Sequence, residues 1–212
     1  MKKRFWSVAI LLVITFCLTG LSAIYAQKSK AEQLKEMVAA AKITMAEALD
    51  KALKSAPGLA VAGELEKEKG QLIYTFDILP SLTSSSITEV HIDAISGKLL
   101  DQTLEKIKAG EEEEETEEKE EKKTEEKEVE KEEAHLSLKD LAAAAKVSLA
   151  QALKSAQAAG SGQVISAELE KEKGKIIFSF DLLPFPGSQT IHEVHVDAVS
   201  GQVIAQEDEK IK

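Results

Sequence analysis

The apolar positions of this chain change period partway through each half of the sequence. Met45, Ala48, Leu49, Ala52 and Leu53 recur at intervals of three and four, the spacing of a helix with one buried stripe. From Leu72 the period drops to two. Leu72, Tyr74, Phe76 and Ile78 alternate with Ile73, Thr75 and Asp77, which predicts a strand with one strongly apolar face. The same succession returns 104 residues later, where Ile176, Phe178, Phe180 and Leu182 alternate and the heptapeptide ELEKEKG of Glu64–Gly70 reappears unchanged at Glu168–Gly174. At that offset Leu34–Lys108 aligns with Leu138–Lys212 without a gap, and roughly half of the pairs are identical. The chain is a tandem duplication.

Within each copy the remaining elements follow from local chemistry. The Ala-rich segments AEQLKEMVAAAK and LSLKDLAAAAK consist of strong helix formers and predict a short first helix. Thr44-Met45-Ala46-Glu47 and Ser148-Leu149-Ala150-Gln151 fit a capping box, in which a hydroxyl and a Glu or Gln satisfy the free amides of a second helix reciprocally. Pro57-Gly58 and Gly160-Ser161-Gly162 end that helix. A strand over roughly Ala60–Lys67 turns at Lys69-Gly70, or Lys173-Gly174, into the central strand. Pro80 and Pro184 close the central strand; a third strand spans Ile87–Asp93, and the turn ending at Gly97 leads into a last strand over Lys98–Gln102. The expected fold class is α+β, as two tandem copies (30–108 and 135–212) of a small unit whose helix covers an antiparallel sheet.

Composition adds the ends and the middle. Residues 1–26 carry a basic start, an apolar run and small residues up to Ala26, the pattern of a secretory signal peptide cut after Ala26; an uncleaved membrane anchor is the alternative. The sole cysteine, Cys17, lies in that segment, so the exported chain depends on its apolar cores without disulfides. Between the copies, 109–134 forms a Glu/Lys-rich linker expected to be partly helical or disordered. Its fifteen glutamates and five lysines between Glu111 and Glu133 account for the whole net charge of −10. As a helix that run would reach about 35 Å, enough to hold two small units apart; its plainer role is a solubilising spacer. The charges of the two copies balance, which disfavours a nucleic-acid partner.

Candidate chemistry is sparse. His192-Glu193-Val194-His195 is not a zinc protease motif, because its histidines are three apart on a strand and point to opposite faces. Glu89, His91 and Asp93, repeated as Glu193, His195 and Asp197, share one strand face and are the candidate ligands for a transition metal. The alternative reading makes them the solvated face of a half-exposed sheet, with Asp93 capping its own turn. Asp77 and Asp181 are also doubled, and a lysine across the sheet is the partner expected of them. The strand aromatics Tyr74, Phe76, Phe178 and Phe180 read as core. No catalytic set and no cofactor site is expected.

ITMAEALDKAL, ELEKEKGQLIYTFDI and TEVHIDAISGKLL, with VSLAQALKSA, ELEKEKGKIIFSFDL and HEVHVDAVSGQVI in the second copy, resemble the PepSY domain. The resemblance rests on an aromatic in the central strand (Tyr74, Phe178) and on the V-x-hydrophobic-D-A-x-S-G-x-hydrophobic ending at Val90–Leu99 and Val194–Val203. It implies a non-enzymatic protein, periplasmic or extracellular, that binds a protein partner, with inhibition or regulation of a peptidase as the implied role. No peptidase domain follows the second copy in this sequence, so inhibition would act in trans. A metal-binding exported protein using the Glu and His pairs is the alternative.

Overall fold

The structure is a computed structural model and describes residues 29–107 and 137–211; the signal segment and the acidic linker lie outside the described residues. Each repeat opens with two short helices, α1 (Lys30–Ala40) and α2 (Met45–Ser55) in the first, α3 (Leu138–Ala144) and α4 (Leu149–Ala159) in the second. All four begin at a reciprocal cap: Ser29 with Glu32, Thr44 with Glu47, Ser137 with Asp140 and Ser148 with Gln151. Sequence spacing identified the caps of α2 and α4. Each cap is worth about 1 kcal/mol, which matters for helices of three turns or fewer.

The strands are β1 (Leu59–Glu68), β2 (Gln71–Leu79), β3 (Ser86–Asp93) and β4 (Leu99–Lys106), then β5 (Gln163–Glu172), β6 (Lys175–Leu183), β7 (Thr190–Asp197) and β8 (Val203–Lys210). The β1–β2 hairpin turns on Lys69 (φ 49°) and Gly70 (φ 85°), and β5–β6 on Lys173 (φ 49°) and Gly174 (φ 77°). Two successive positive φ angles are what a two-residue turn needs to match the strand twist. The last strand is longer than its apolar period indicated. Thr103–Lys106 do not alternate in hydropathy, yet they pair with Ser86–Glu89, so the backbone ladder extends β4 where burial does not: all eight of its residues are exposed.

The largest departure from the sequence reading is that the repeats do not stand apart. All eight strands form one sheet in the order β4-β3-β2-β1-β5-β6-β7-β8. β1 and β5 pair antiparallel through Ala62↔Glu168, Gly63↔Ala167 and Glu64↔Ser166. Gly63 and Ala167 are equivalent positions of the two copies, so the joint is a pseudo-twofold centred on them. The physical reason is the edge. An isolated four-stranded unit would leave β1 unpaired, and joining the copies removes that edge while merging two cores that are small on their own.

The core is accordingly continuous. Leu49, Phe76 and Ile92 of the first copy and Leu153, Phe180 and Val196 of the second belong to one buried cluster, and α4 packs on β1 as well as on β5, β6 and β7. A polar tie crosses the joint: the Gln163 side-chain amide donates to the Tyr74 hydroxyl at 3.1 Å, which donates to the Ile43 carbonyl at 3.1 Å. Tyr74, Phe76, Phe178 and Phe180 are all buried. Among the described residues no helix is long and apolar enough to cross a membrane.

Candidate functional site

The candidate residues gather on the sheet face that points away from α2 and α4. Strand alternation puts Val90 and Ile92 of β3 into the core and turns Glu89 and His91 to this opposite face. The cross-strand registers then define two rows. One runs Thr103, Glu89, Asp77, Ala62, Glu168, Ser179, His195, Ala205 from β4 to β8; the next runs Asp101, His91, Thr75, Glu64, Ser166, Asp181, Glu193, Glu207. Eight carboxylates and two imidazoles occupy the two rows, and no lysine does.

Each imidazole is held between carboxylates. His91 Nε2 lies 3.0 Å from Glu89 Oε1 and Nδ1 lies 2.7 Å from Asp101 Oδ1, with Glu68 Oε2 at 3.9 Å. His195 Nε2 lies 3.0 Å from Glu193 Oε1, and Nδ1 2.8 Å from Glu172 Oε2. The pairs differ in depth. Glu193 and His195 are both 4 % exposed, whereas His91 and Glu89 are half-buried. The second copy's Glu–His contact thus lies below the surface, an ion pair whenever His195 is protonated, with Ser179 donating a hydrogen bond to Glu193 at 3.0 Å. Contact with Glu193 raises the His195 pKa above its ordinary value against the opposing effect of burial. Burial raises Glu89, while His91 opposes the rise.

Asp93 and Asp197 do not join these clusters. Their carboxylates turn back to accept the amide hydrogens of Ile95 and Ser96, and of Val199 and Ser200, and those bonds hold both acids below the usual carboxylate range. The triads read from the sequence therefore resolve into a Glu–His contact and a turn cap in each copy. Among the described residues no group of three or more His, Cys, Asp or Glu side chains is arranged to hold a metal ion. The partners that spacing did not supply come from other strands, Asp101 from the adjacent β4, and Glu68 and Glu172 from two strands away. Their signal was the doubled ELEKEKG, whose fifth residue is Glu68 in one copy and Glu172 in the other. His192 lies on the opposite face from His195 and pairs with Asp208 (2.7 Å) and Gln206 (3.1 Å).

Asp77 departs from a second expectation, that of a lysine partner across the sheet. The residues directly across from Asp77 are Ala62 and Glu89, and those across from Asp181 are Ser166 and Glu193; none is a lysine. Burial first, then Glu89, Glu105 and Glu168, push the Asp77 carboxyl from 3.8 up to about 6. The face is built to concentrate negative charge, and none of its groups forms a nucleophile-and-base pair.

Residues 42–103 and 146–207 both match the family described as the peptidase propeptide and YPEB domain. No curated protein matches the chain. Among solved structures, a candidate lipoprotein from Clostridium difficile 630 is similar over 84 % of this chain and 99 % of its own, at 18 % identity and a TM-score of 0.38.

Proposed function

From the premise that this chain belongs to the PepSY family, whose two matched segments cover more than half of its length, we propose that it is an exported, non-enzymatic protein that binds a protein partner and regulates a peptidase in trans. The observation that carries this reading is the double family match. A family described by peptidase propeptides is present twice, over residues 42–103 and 146–207. The fused sheet supports it by offering a wide, rigid platform with two solvent-facing edge strands, β4 and β8. Extended segments of a partner add to such edges through main-chain hydrogen bonds. Export rests on the signal-like residues 1–26.

The test uses the chain from residue 27 onward, purified and immobilised to capture partners from the envelope and secreted fractions of its own organism. Any peptidase captured is then assayed with increasing amounts of free protein. Dose-dependent loss of peptidase activity supports the reading. Capture of a non-peptidase partner with no effect on any secreted peptidase removes the peptidase and leaves protein binding.

A further inference from the structure

The joint between the repeats is short and lined with acid. β1 and β5 share three residue pairs, against nine between β1 and β2. On the face away from α2 and α4, Ala62 sits between Asp77 and Glu168, and Ser166 sits between Glu64 and Asp181. Four carboxylates thus bracket two small side chains at the pseudo-twofold, where Glu64 and Glu168 lie on adjacent strands, and Asp77 and Asp181 each lie two strands from the other copy's glutamate. We propose that this joint is proton-linked: its ionised carboxylates repel across the β1–β5 ladder, so the two repeats hold together most tightly in mildly acidic solution and loosen toward neutral pH.

The groups facing the joint support this from every side. Asp77 meets Glu89 and His91 from β3, Glu105 from β4 and Glu168 from β5. Glu64 meets Glu66 on its own strand, Glu168 on β5, Asp181 on β6 and Lys30 of α1. From β7, Glu193 lies across from Asp181 and His195 lies in the row of Glu168. The cations facing these acids include His91, held by Glu89 and Asp101, His195, held by Glu193 and Glu172, and Lys30. Loss of hydration is the first cause raising Asp77, Glu64 and Glu168, and neighbouring acids add to it for Asp77 and Glu64. The sign follows from linkage. A carboxyl whose folded pKa lies above its unfolded value binds its proton more tightly in the folded state, so stability falls as pH rises from the unfolded pKa through the folded one. For Asp77 that window runs from 3.8 to about 6.

The experiment compares the chain from residue 27 onward with its Asp77→Asn variant and with the Glu64→Gln/Glu168→Gln double variant, in melts at about pH 4.5 and 7.5 and in hydrogen exchange. At the higher pH the Asn variant should melt about 3–6 °C above the unmodified chain, and at the lower pH, which lies inside that window, the gap should shrink to about a third. The Gln variant should show the same pattern, smaller because its side chains reach solvent. Corrected for intrinsic rates, peptides from β1 and β5 should lose more protection between the two conditions than peptides from β3 and β7. Equal gains at both pH values, or β1 and β5 changing in step with the other strands, would overturn the proposal. Destabilisation of both variants at pH 7.5 would do the same.

Discussion

If the two copies share one core, damage buried in the second must be felt at full strength in the first. Leu153 tests this. It lies on α4 at 1 % exposure, inside the cluster that also contains Tyr74 and Phe76. Leu153→Ala removes three buried carbons and leaves a cavity, at a cost of about 2–4 kcal/mol. For a cooperative unit of about 150 residues each kcal/mol moves Tm by about 2–4 °C, so a fall of about 5–12 °C is expected. The chain supplies its own reporter, because Trp6 and Tyr25 fall within residues 1–26 and Tyr74 is the remaining tyrosine. In the chain from residue 27 onward, Tyr74 emission reads the first copy and its hydrogen bond to Gln163 across the joint, while far-UV circular dichroism reads both copies. The two melting curves should shift together by the same amount. A Tyr74 transition that stays in place while part of the dichroism melts early would refute the shared core, and with it the β1–β5 pairing as an energetic link.

Two further outcomes follow from individual residues. Gly97→Val should destabilise by about 1–3 kcal/mol in denaturant titration, because φ is +69° and a Cβ there would sit 2.9 Å from Lys51 Cε; as the repeats form one unit, the whole transition moves, and an unchanged midpoint would show that the β3–β4 turn tolerates a branched side chain. His195→Gln removes the imidazole between Glu172 and Glu193. Its folded pKa is raised, so its contribution is fully present below 6.5 and is lost as pH rises through the folded value; the Tm gap to the unmodified chain should be wide near pH 5.5 and narrower near pH 8, and a gap that widens with pH would contradict the ion pair.

Much of the fold could be read from local rules because local rules determine it. The α2 and α4 caps, the Lys-Gly hairpins and the turns at Gly97 and Gly201 each depend on a few consecutive residues, and each stands where its chemistry required. β4 was read too short because its C-terminal half is paired without being buried, and hydropathy reports burial alone. Pairing of β1 with β5 left no trace in the period of either strand. Both read as ordinary half-buried strands next to a hairpin, and only the register shows that Gly63 meets Ala167. The candidate site was half visible for the same reason. Spacing of two brought Glu89 to His91, but Asp101, Glu68 and Glu172 arrive across strands, and Asp93 is diverted by the amides of its own turn.

Differences between the copies show which contacts are free to change. Thr88 faces Leu104 in the first copy, and the equivalent pair in the second is His192 facing Asp208, joined at 2.7 Å; both members changed together, as a directly opposed cross-strand pair requires. Asp101 is likewise replaced by Ala205, and the histidine that lost this partner, His195, is engaged instead by Glu172 at 2.8 Å. These exchanges lie toward the two edges, where one strand pair can adjust without disturbing the other copy. At the pseudo-twofold the exchanges stay small: Gly63 is replaced by Ala167 and Ala62 by Ser166, while the third rung position keeps its acid, as Glu64 and Glu168. Glu64 with Glu168 on the adjacent strands β1 and β5, and Asp77 with Asp181 on the strands flanking them, are identical in both copies. Lysine at either Glu64 or Glu168 would turn repulsion into attraction across the β1–β5 ladder. With an acid at all four positions, the joint instead carries the titratable groups on which its proposed response to protons rests.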